Sequence, residues 1–128
     1  MKNIIIIPAR KGSQRLKNKN LLKIKNKTLV EKTIDFSIKI KKVDKIIVSS
    51  DNKEILDLAK KYAKILFHKR PKYLSKNNSL ITTVVNYLDN ILGKQFINIM
   101  ILQPTSPYRS IKDINNQWLK FIDLKKKY

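Results

Sequence analysis

Short apolar runs along the chain predict four strands. Residues 4–7 are four consecutive isoleucines, a pattern typical of a strand that is buried on both faces, and Pro8 ends the run. Later runs predict further strands over 46–48, 65–67 and about 96–102. Each run is short and is followed by polar residues, so none is long enough to be a helix.

Between and after these runs, apolar residues recur with helical spacing. This spacing predicts helices over about 29–40, 55–62, 81–92 and 110–122. Asp51 stands three residues before Glu54, the spacing of a capping box, and predicts the start of the second helix. Strands that alternate with helices of this length form parallel βαβ units, so the fold class is α/β, one domain over residues 1–128 with helices on both sides of a mostly parallel sheet.

Composition removes several kinds of chemistry. The chain has no cysteine and one histidine, His68, which excludes disulfides, thiol nucleophiles and zinc clusters and leaves only oxygen ligands for any metal. No carboxylate has triad-like spacing to His68, so we interpret it as a loop side chain rather than a catalytic base. No apolar run approaches the ~20 residues that cross a bilayer, and no signal-peptide cleavage site follows Met1, so we expect a cytoplasmic protein without membrane contact.

The formal charge of +20 raises the question of a nucleic-acid partner. All but four of the 29 basic residues are lysines, which are scattered over predicted helix surfaces and turns without interleaved aromatic residues. A solvated basic surface is therefore favoured over a nucleic-acid interface, and polyanion binding through the lysines stays as an alternative.

Arginine and proline occur four times each and are concentrated in three segments, residues 8–20, 70–71 and 104–109. Each segment follows a predicted strand, and ligands of open α/β sheets bind outside the carboxyl ends of the strands. The planar guanidinium suits phosphate and carboxylate, and proline holds the backbone that presents it. These segments predict a binding site, the alternative being ordinary connecting loops.

Residues 8–20 contain the largest group of candidate ligand-binding residues. Gly12 permits a tight turn whose N–H groups can converge on phosphate oxygens, and the Ser13 hydroxyl is a further donor. Arg10, Arg15 and Lys19 supply positive charge. The segment lacks the Gly-Lys-Ser/Thr ending of a P-loop and the three glycines of a dinucleotide fingerprint, so it predicts a different anion site, of triphosphate size.

Four ordered motifs along nearly the whole chain resemble the acylneuraminate cytidylyltransferases, the CMP-sialic acid synthetase family. The motifs are Ile7-Pro8-Ala9-Arg10-Lys11-Gly12-Ser13 with Arg15, Lys19 and Asn20; Val48-Ser49-Ser50-Asp51; Arg70-Pro71 with Leu74-Ser75; and Leu102-Gln103-Pro104-Thr105-Ser106-Pro107-Tyr108-Arg109. The resemblance implies a Rossmann-like three-layer α/β/α fold of the nucleotide-diphospho-sugar transferase type. It also implies transfer of CMP from CTP to the anomeric hydroxyl of an acidic nine-carbon sugar, with release of pyrophosphate.

The resemblance also implies roles for individual residues. Those implied to bind the nucleotide are Arg10, Gly12, Ser13, Arg15, Lys19, Asn20 and Arg70. Lys19 and Arg10 are the implied catalytic residues, because charge stabilisation dominates phosphoryl transfer. Gln103 is implied to reach the sugar.

Members of this family continue for nearly as many residues again. Their later half is implied to bring the aspartates that bind Mg²⁺, part of the sugar pocket and a dimerisation insert, so we expect Mg²⁺ as cofactor and a homodimer, with no metal ligands in this chain. The alternatives left open are a truncated, non-catalytic nucleotide-binding fragment, one half of a split enzyme, and a CMP-Kdo-type synthetase, which shares the Pro-Ala-Arg-x-Gly-Ser signature.

Overall fold

A computed structural model describes residues 3–9, 23–24, 27–62, 65–69, 88, 90, 98–104 and 110–127. In chain order its elements are β1 (Asn3–Pro8), β2 (Lys23–Ile24), β3 (Lys27–Thr28), α1 (Leu29–Ile38), β4 (Lys45–Ser50), α2 (Lys53–Lys60), β5 (Ile65–Lys69), β6 (Asn98–Ile101) and α3 (Ile111–Lys127). The alternation of strands and helices confirms the predicted α/β class.

The main sheet is parallel and has the order β5-β4-β1-β6. β1 lies between β4 and β6, and its side chains from Ile4 to Ile7 are fully buried. The four predicted strands are therefore confirmed in their described parts. β4 continues to Ser50 and β5 to Lys69, two residues beyond each predicted run.

One face of the sheet, which we call the helix face, packs against all three described helices. Side chains alternate between the faces of a strand, so Ile5 and Ile7 point to this side. They join one cluster with residues of α1, α2 and α3: Val30, Ile34, Ile55, Ala59, Trp118 and Ile122. The predicted apolar stripe of the last helix is thus confirmed at Trp118 and Ile122, which are 3% and 4% exposed.

On the opposite side of the sheet, which we call the second face, side chains at the centre are buried and side chains at the edges are partly exposed. Ile4, Ile6 and Ile47 are no more than 1% exposed there. Leu88, a helical residue that is 1% exposed, belongs to the predicted helix over 81–92, of which only residues 88 and 90 are described. By contrast, Leu66 on β5 is 39% exposed. The parallel sheet with its packed helices agrees with the predicted fold class.

Short polar side chains begin the first two helices. Thr28 and Glu31 form a capping box at α1, in which the Thr28 hydroxyl accepts from the Glu31 N–H at 3.1 Å. At α2 the prediction that Asp51 caps the helix is wrong: the cap is Asn52, whose Oδ1 accepts from the Glu54 N–H at 2.8 Å. β4 extends to Ser50, so the turn into α2 begins later than predicted. The buried side chain of Asn52, rather than that of Asp51, therefore caps the first turn of the helix.

None of the helices in the described part of the chain is both long enough and apolar enough to cross a membrane.

Candidate functional site

The strand order places a crevice beside β1. From β1 the chain moves to β4 and then β5 on one side, and β6 lies on the other side of β1. In open α/β sheets the crevice outside the carboxyl ends at such a reversal is the ligand site. The chain leaves β1 at Pro8 and Ala9 and leaves β6 at Leu102 and Gln103, so both flanks of the crevice come from predicted site segments.

A row of four residues follows this carboxyl edge across the sheet. His68 pairs with Ser49, and Ser49 pairs with Pro8. On the other side Ile6 pairs with Ile101, so the same register brings Gln103 level with Pro8. All four side chains belong to the second face, because alternate residues of a strand share a face. Three strand spacings of ~4.8 Å separate His68 from Gln103 by roughly 14 Å, a span suited to an extended ligand.

Ser49 contacts both neighbouring strand ends. Its backbone carbonyl accepts from the Ala9 N–H at 2.9 Å, and its Oγ lies 3.1 Å from Nδ1 of His68. Ser49 and Ala9 are fully buried and His68 is half-buried. The interpretation of His68 as a loop side chain is therefore wrong: it lies in β5, within hydrogen-bond distance of a buried hydroxyl. Aligning the predicted runs 46–48 and 65–67 at their first residues would have indicated this pairing.

A small polar cluster anchors β3, the strand that follows the predicted phosphate-binding segment. Lys27 Nζ lies 2.6 Å from Oδ2 of Asp35 on α1, and the Tyr62 hydroxyl donates to Oδ1 of Asp35 at 3.2 Å. The hydrogen bond and charge of Asp35 raise the pKa of Lys27. Burial, followed by the negative charge of Asp35, raises the pKa of Tyr62 to about 12. The cluster therefore holds a protonated phenol and a charged ammonium around one carboxylate.

Most of the predicted site residues lie outside the described part of the chain: Arg10, Gly12, Ser13, Arg15, Lys19, Asn20 and Arg70. Their roles stay predictions. Gln103 is described, and it is an exposed side chain immediately after β6 at the crevice. The structure thus places Gln103 where a ligand can reach it, and places the strand ends that lead into Arg10 and Arg70 along the same edge.

The described residues do not fit a magnesium site. Mg²⁺ prefers oxygen ligands in octahedral geometry, and in the part of the chain that the structure describes no three acidic or histidine side chains stand together. A site that used Asp51, directly after β4, would need further oxygen ligands. Mg²⁺ therefore remains a prediction from the family resemblance.

The parallel sheet and the order of its strands define a protein of the Rossmann-like α/β class. Residues 4–127 match the sequence model of a family described as cytidylyltransferase. The chain belongs to the cytidylyltransferase family.

Two relatives illustrate the match. The chain is 32% identical over 131 residues to a pseudaminic acid cytidylyltransferase of Campylobacter jejuni, an alignment that covers 100% of this chain and 56% of the relative. It is 34% identical over 119 residues to a CMP-N,N'-diacetyllegionaminic acid synthase of Legionella pneumophila, covering 91% of this chain and 51% of the relative. The chain therefore spans about half the length of the curated relatives it matches.

A solved structure has the same fold. It is a CMP:2-keto-3-deoxy-manno-octonic acid synthetase complexed with CTP, which superposes with a TM-score of 0.70 at 21% identity and covers 96% of this chain and 48% of that one. The expected Rossmann-like architecture is thereby confirmed.

Proposed function

We propose that this chain forms the CTP-binding part of a nucleotidyltransferase that transfers CMP to an acidic nonulosonic sugar. The oxygen of the sugar's anomeric hydroxyl attacks the α-phosphorus of CTP, the bond from that phosphorus to the β-phosphate oxygen breaks, pyrophosphate leaves, and the hydroxyl proton passes to solvent. Family membership supports the nucleotidyl transfer, and relatives whose names specify pseudaminic and legionaminic acids support this class of sugar.

The observation that carries the proposal is the order of the strand ends along the carboxyl edge. β5 leads into Arg70, β1 leads into the segment with Arg10 and Lys19, and β6 leads to Gln103. With the predicted roles, this order is base, phosphates and sugar. The reaction requires the same order, because the α-phosphate must lie between the cytidine and the attacking hydroxyl.

The chemistry that the step needs is positioning and charge stabilisation. Arg10 and Lys19 are assigned to neutralise the charge that grows on the phosphate oxygens, and the N–H groups around Gly12 to hold the triphosphate. Arg70 is assigned to the cytidine, where a planar fork of donors matches a carbonyl and ring nitrogen.

A second candidate, a nucleotide-binding half without turnover of its own, is favoured by one observation. The chain spans 56% and 51% of the two relatives described above, and Gln103 is the only predicted sugar contact. In that case CTP binds and a further polypeptide segment completes the sugar pocket. A CMP-Kdo-type synthetase is supported less, because the Kdo-synthetase structure shares only 21% identity.

The test is calorimetric binding of CTP, UTP and ATP to the whole chain with Mg²⁺, at two salt concentrations, followed by a pyrophosphate-release assay with pseudaminic, legionaminic and Kdo-type acids. We expect a preference for CTP that persists at high salt. Selective binding without turnover would support the second candidate. Affinity that ignores the base and falls steeply with salt would contradict both and indicate polyanion binding through lysines.

We expect Arg70→Lys to weaken CTP binding by about tenfold, because an ammonium retains the charge but loses the paired donors of the guanidinium. Calorimetry measures the change in Kd. Lys120→Arg, an exposed residue of α3, is the charge-preserving control and should leave Kd unchanged. Equal affinity of Arg70→Lys and the unmodified chain would remove Arg70 from the site.

A further inference from the structure

Ser49 is the point at which three strand ends of the carboxyl edge are tied together. Its carbonyl holds the Ala9 N–H of β1 at 2.9 Å, and its hydroxyl holds the His68 ring of β5 at 3.1 Å. Ser49 itself is fully buried, which strengthens its hydrogen bonds, while the His68 ring is half-buried.

The partners of Ser49 stand close in sequence to two of the predicted site arginines. Ala9 precedes Arg10, and His68 precedes Arg70 by two residues. One buried serine therefore connects the start of the predicted phosphate-binding segment with the strand that leads to the predicted cytidine contact.

The end of β5 depends on such a link because β5 is an edge strand of the described sheet. Among the described strands, β5 pairs only with β4, and their ladder finishes at Ser50 and Lys69. A strand paired on one side frays at its last residues because each has one ladder partner instead of two. The bond between Ser49 and His68 adds a side-chain connection on the second face, one residue before the ladder ends.

We propose that Ser49 and His68 are positioning residues for the nucleotide, whose hydrogen bond fixes the end of β5 relative to the end of β1 and thereby sets the affinity for CTP. Neither residue needs to touch the ligand. The inference rests on the proposed function, because CTP affinity is its main readout, and it deepens that function by assigning two residues outside the predicted nucleotide-binding set.

Four substitutions test the proposal. Ser49→Ala removes the hydroxyl, His68→Phe keeps a ring without hydrogen-bonding atoms, and His68→Asn keeps polar atoms at the distance of Nδ1 from the backbone. Ser37→Ala is the matched control: Ser37 is also fully buried, and its Oγ donates to the Ile34 carbonyl at 2.7 Å within α1, away from the carboxyl edge.

We expect Ser49→Ala and His68→Phe to weaken CTP binding by about fivefold, the factor for the loss of one hydrogen bond, while His68→Asn stays within about twofold. Ser37→Ala should lower the denaturant midpoint without changing Kd. The proposal is overturned if Ser49→Ala and His68→Phe bind CTP as tightly as the unmodified chain, or if His68→Asn is as weak as His68→Phe.

Amide hydrogen exchange separates this proposal from the proposed function. Without any nucleotide, exchange at Lys69, at the end of β5, should be faster in Ser49→Ala than in Ser37→Ala, while Ala9, whose N–H donates to the backbone carbonyl of residue 49, serves as an internal control. Unchanged exchange at Lys69 contradicts the positioning role even if CTP binds. If exchange is faster but the chain does not prefer CTP, the result supports the hydrogen-bonded connection between the strands and contradicts only the proposed nucleotide function.

Discussion

At the scale of single residues, buried polar side chains with defined partners determine where elements begin. The amide of Asn52 is 8% exposed and accepts from the first turn of α2, while the backbone N–H of Asn52 donates to the Ser50 hydroxyl at 3.0 Å. These two bonds fix the turn between β4 and α2, directly at the carboxyl edge of the sheet.

We expect Asn52→Ala to lower the free energy of unfolding by about 1 kcal/mol, the usual cost of losing an N-cap. Urea unfolding monitored by circular dichroism measures it. Asp51→Ala, one residue earlier and exposed, is the control and should cost less. A larger loss from Asp51→Ala would restore the cap predicted from the sequence.

The cluster of Lys27, Asp35 and Tyr62 should give the fold a pH dependence at alkaline pH. The pKa of Tyr62 is raised from 10.0 to about 12, so the folded chain retains a proton that the unfolded chain loses. The stabilisation is complete below pH 10 and is lost as the pH rises from 10 towards 12. Tyr62→Phe should show a smaller loss over this interval in urea unfolding at a series of pH values; parallel curves for the two proteins would contradict the assignment.

The residue that caps α2 was predicted only approximately from the sequence. Asp51 and Glu54 have the capping-box spacing, but Asn52 is equally able to cap a helix, and the choice depends on how far β4 extends. His68 escaped prediction for a related reason, since its partner Ser49 is 19 positions away and becomes adjacent only when two strands pair.

At the scale of elements, the pattern of apolar residues along the sequence determines which segments form the strands of the sheet. The isoleucine run of residues 4–7 forms the most buried strand, and the runs at 46–48 and 65–67 form the strands beside it in chain order. The pair β2 and β3 was not predicted, because strands of two residues are too short to have a periodicity. The order of the strands could not be predicted either, since β6 could have joined either edge.

We expect Ile6→Ala to cost about 2–5 kcal/mol of unfolding free energy, because it opens a cavity in a closed part of the second face. Leu66→Ala is the matched control on the same face and should cost less, since Leu66 is already 39% exposed. Thermal or urea unfolding measures both. Similar losses would indicate that the centre of that face is no better packed than its flank.

At the scale of the whole molecule, 29 basic residues outnumber 9 acidic ones, which gives a formal charge of +20. Two ion pairs join described residues, Lys27 with Asp35 and Lys60 with Asp57, and the second is an exposed pair at 3.8 Å. Such a surface repels itself in the folded state and attracts anions, including triphosphates and sugar carboxylates.

We expect the thermal midpoint to rise as sodium chloride is increased from about 0.02 M to about 0.5 M, because salt screens repulsion among the lysines. Scanning calorimetry measures the midpoint, and an uncharged osmolyte series serves as the control for solvent effects other than screening. A midpoint that falls with salt would mean that attractive pairs outweigh the repulsion.

The central place of β1 also determines the order in which the molecule can be assembled. Asn3 and Asn98 lie 95 positions apart, yet their side chains are joined by a hydrogen bond of 2.9 Å at the start of neighbouring strands. β1 can pair with β4 once residues 3–50 are available, but its other side has no described partner strand until β6, residues 98–101, follows. Such distant pairing is slow, because a long loop must close before the contact forms. The side of the ligand crevice formed by β6 therefore depends on the most distant strand pairing of the described sheet, whereas β5, β4 and β1 are connected by shorter stretches of chain.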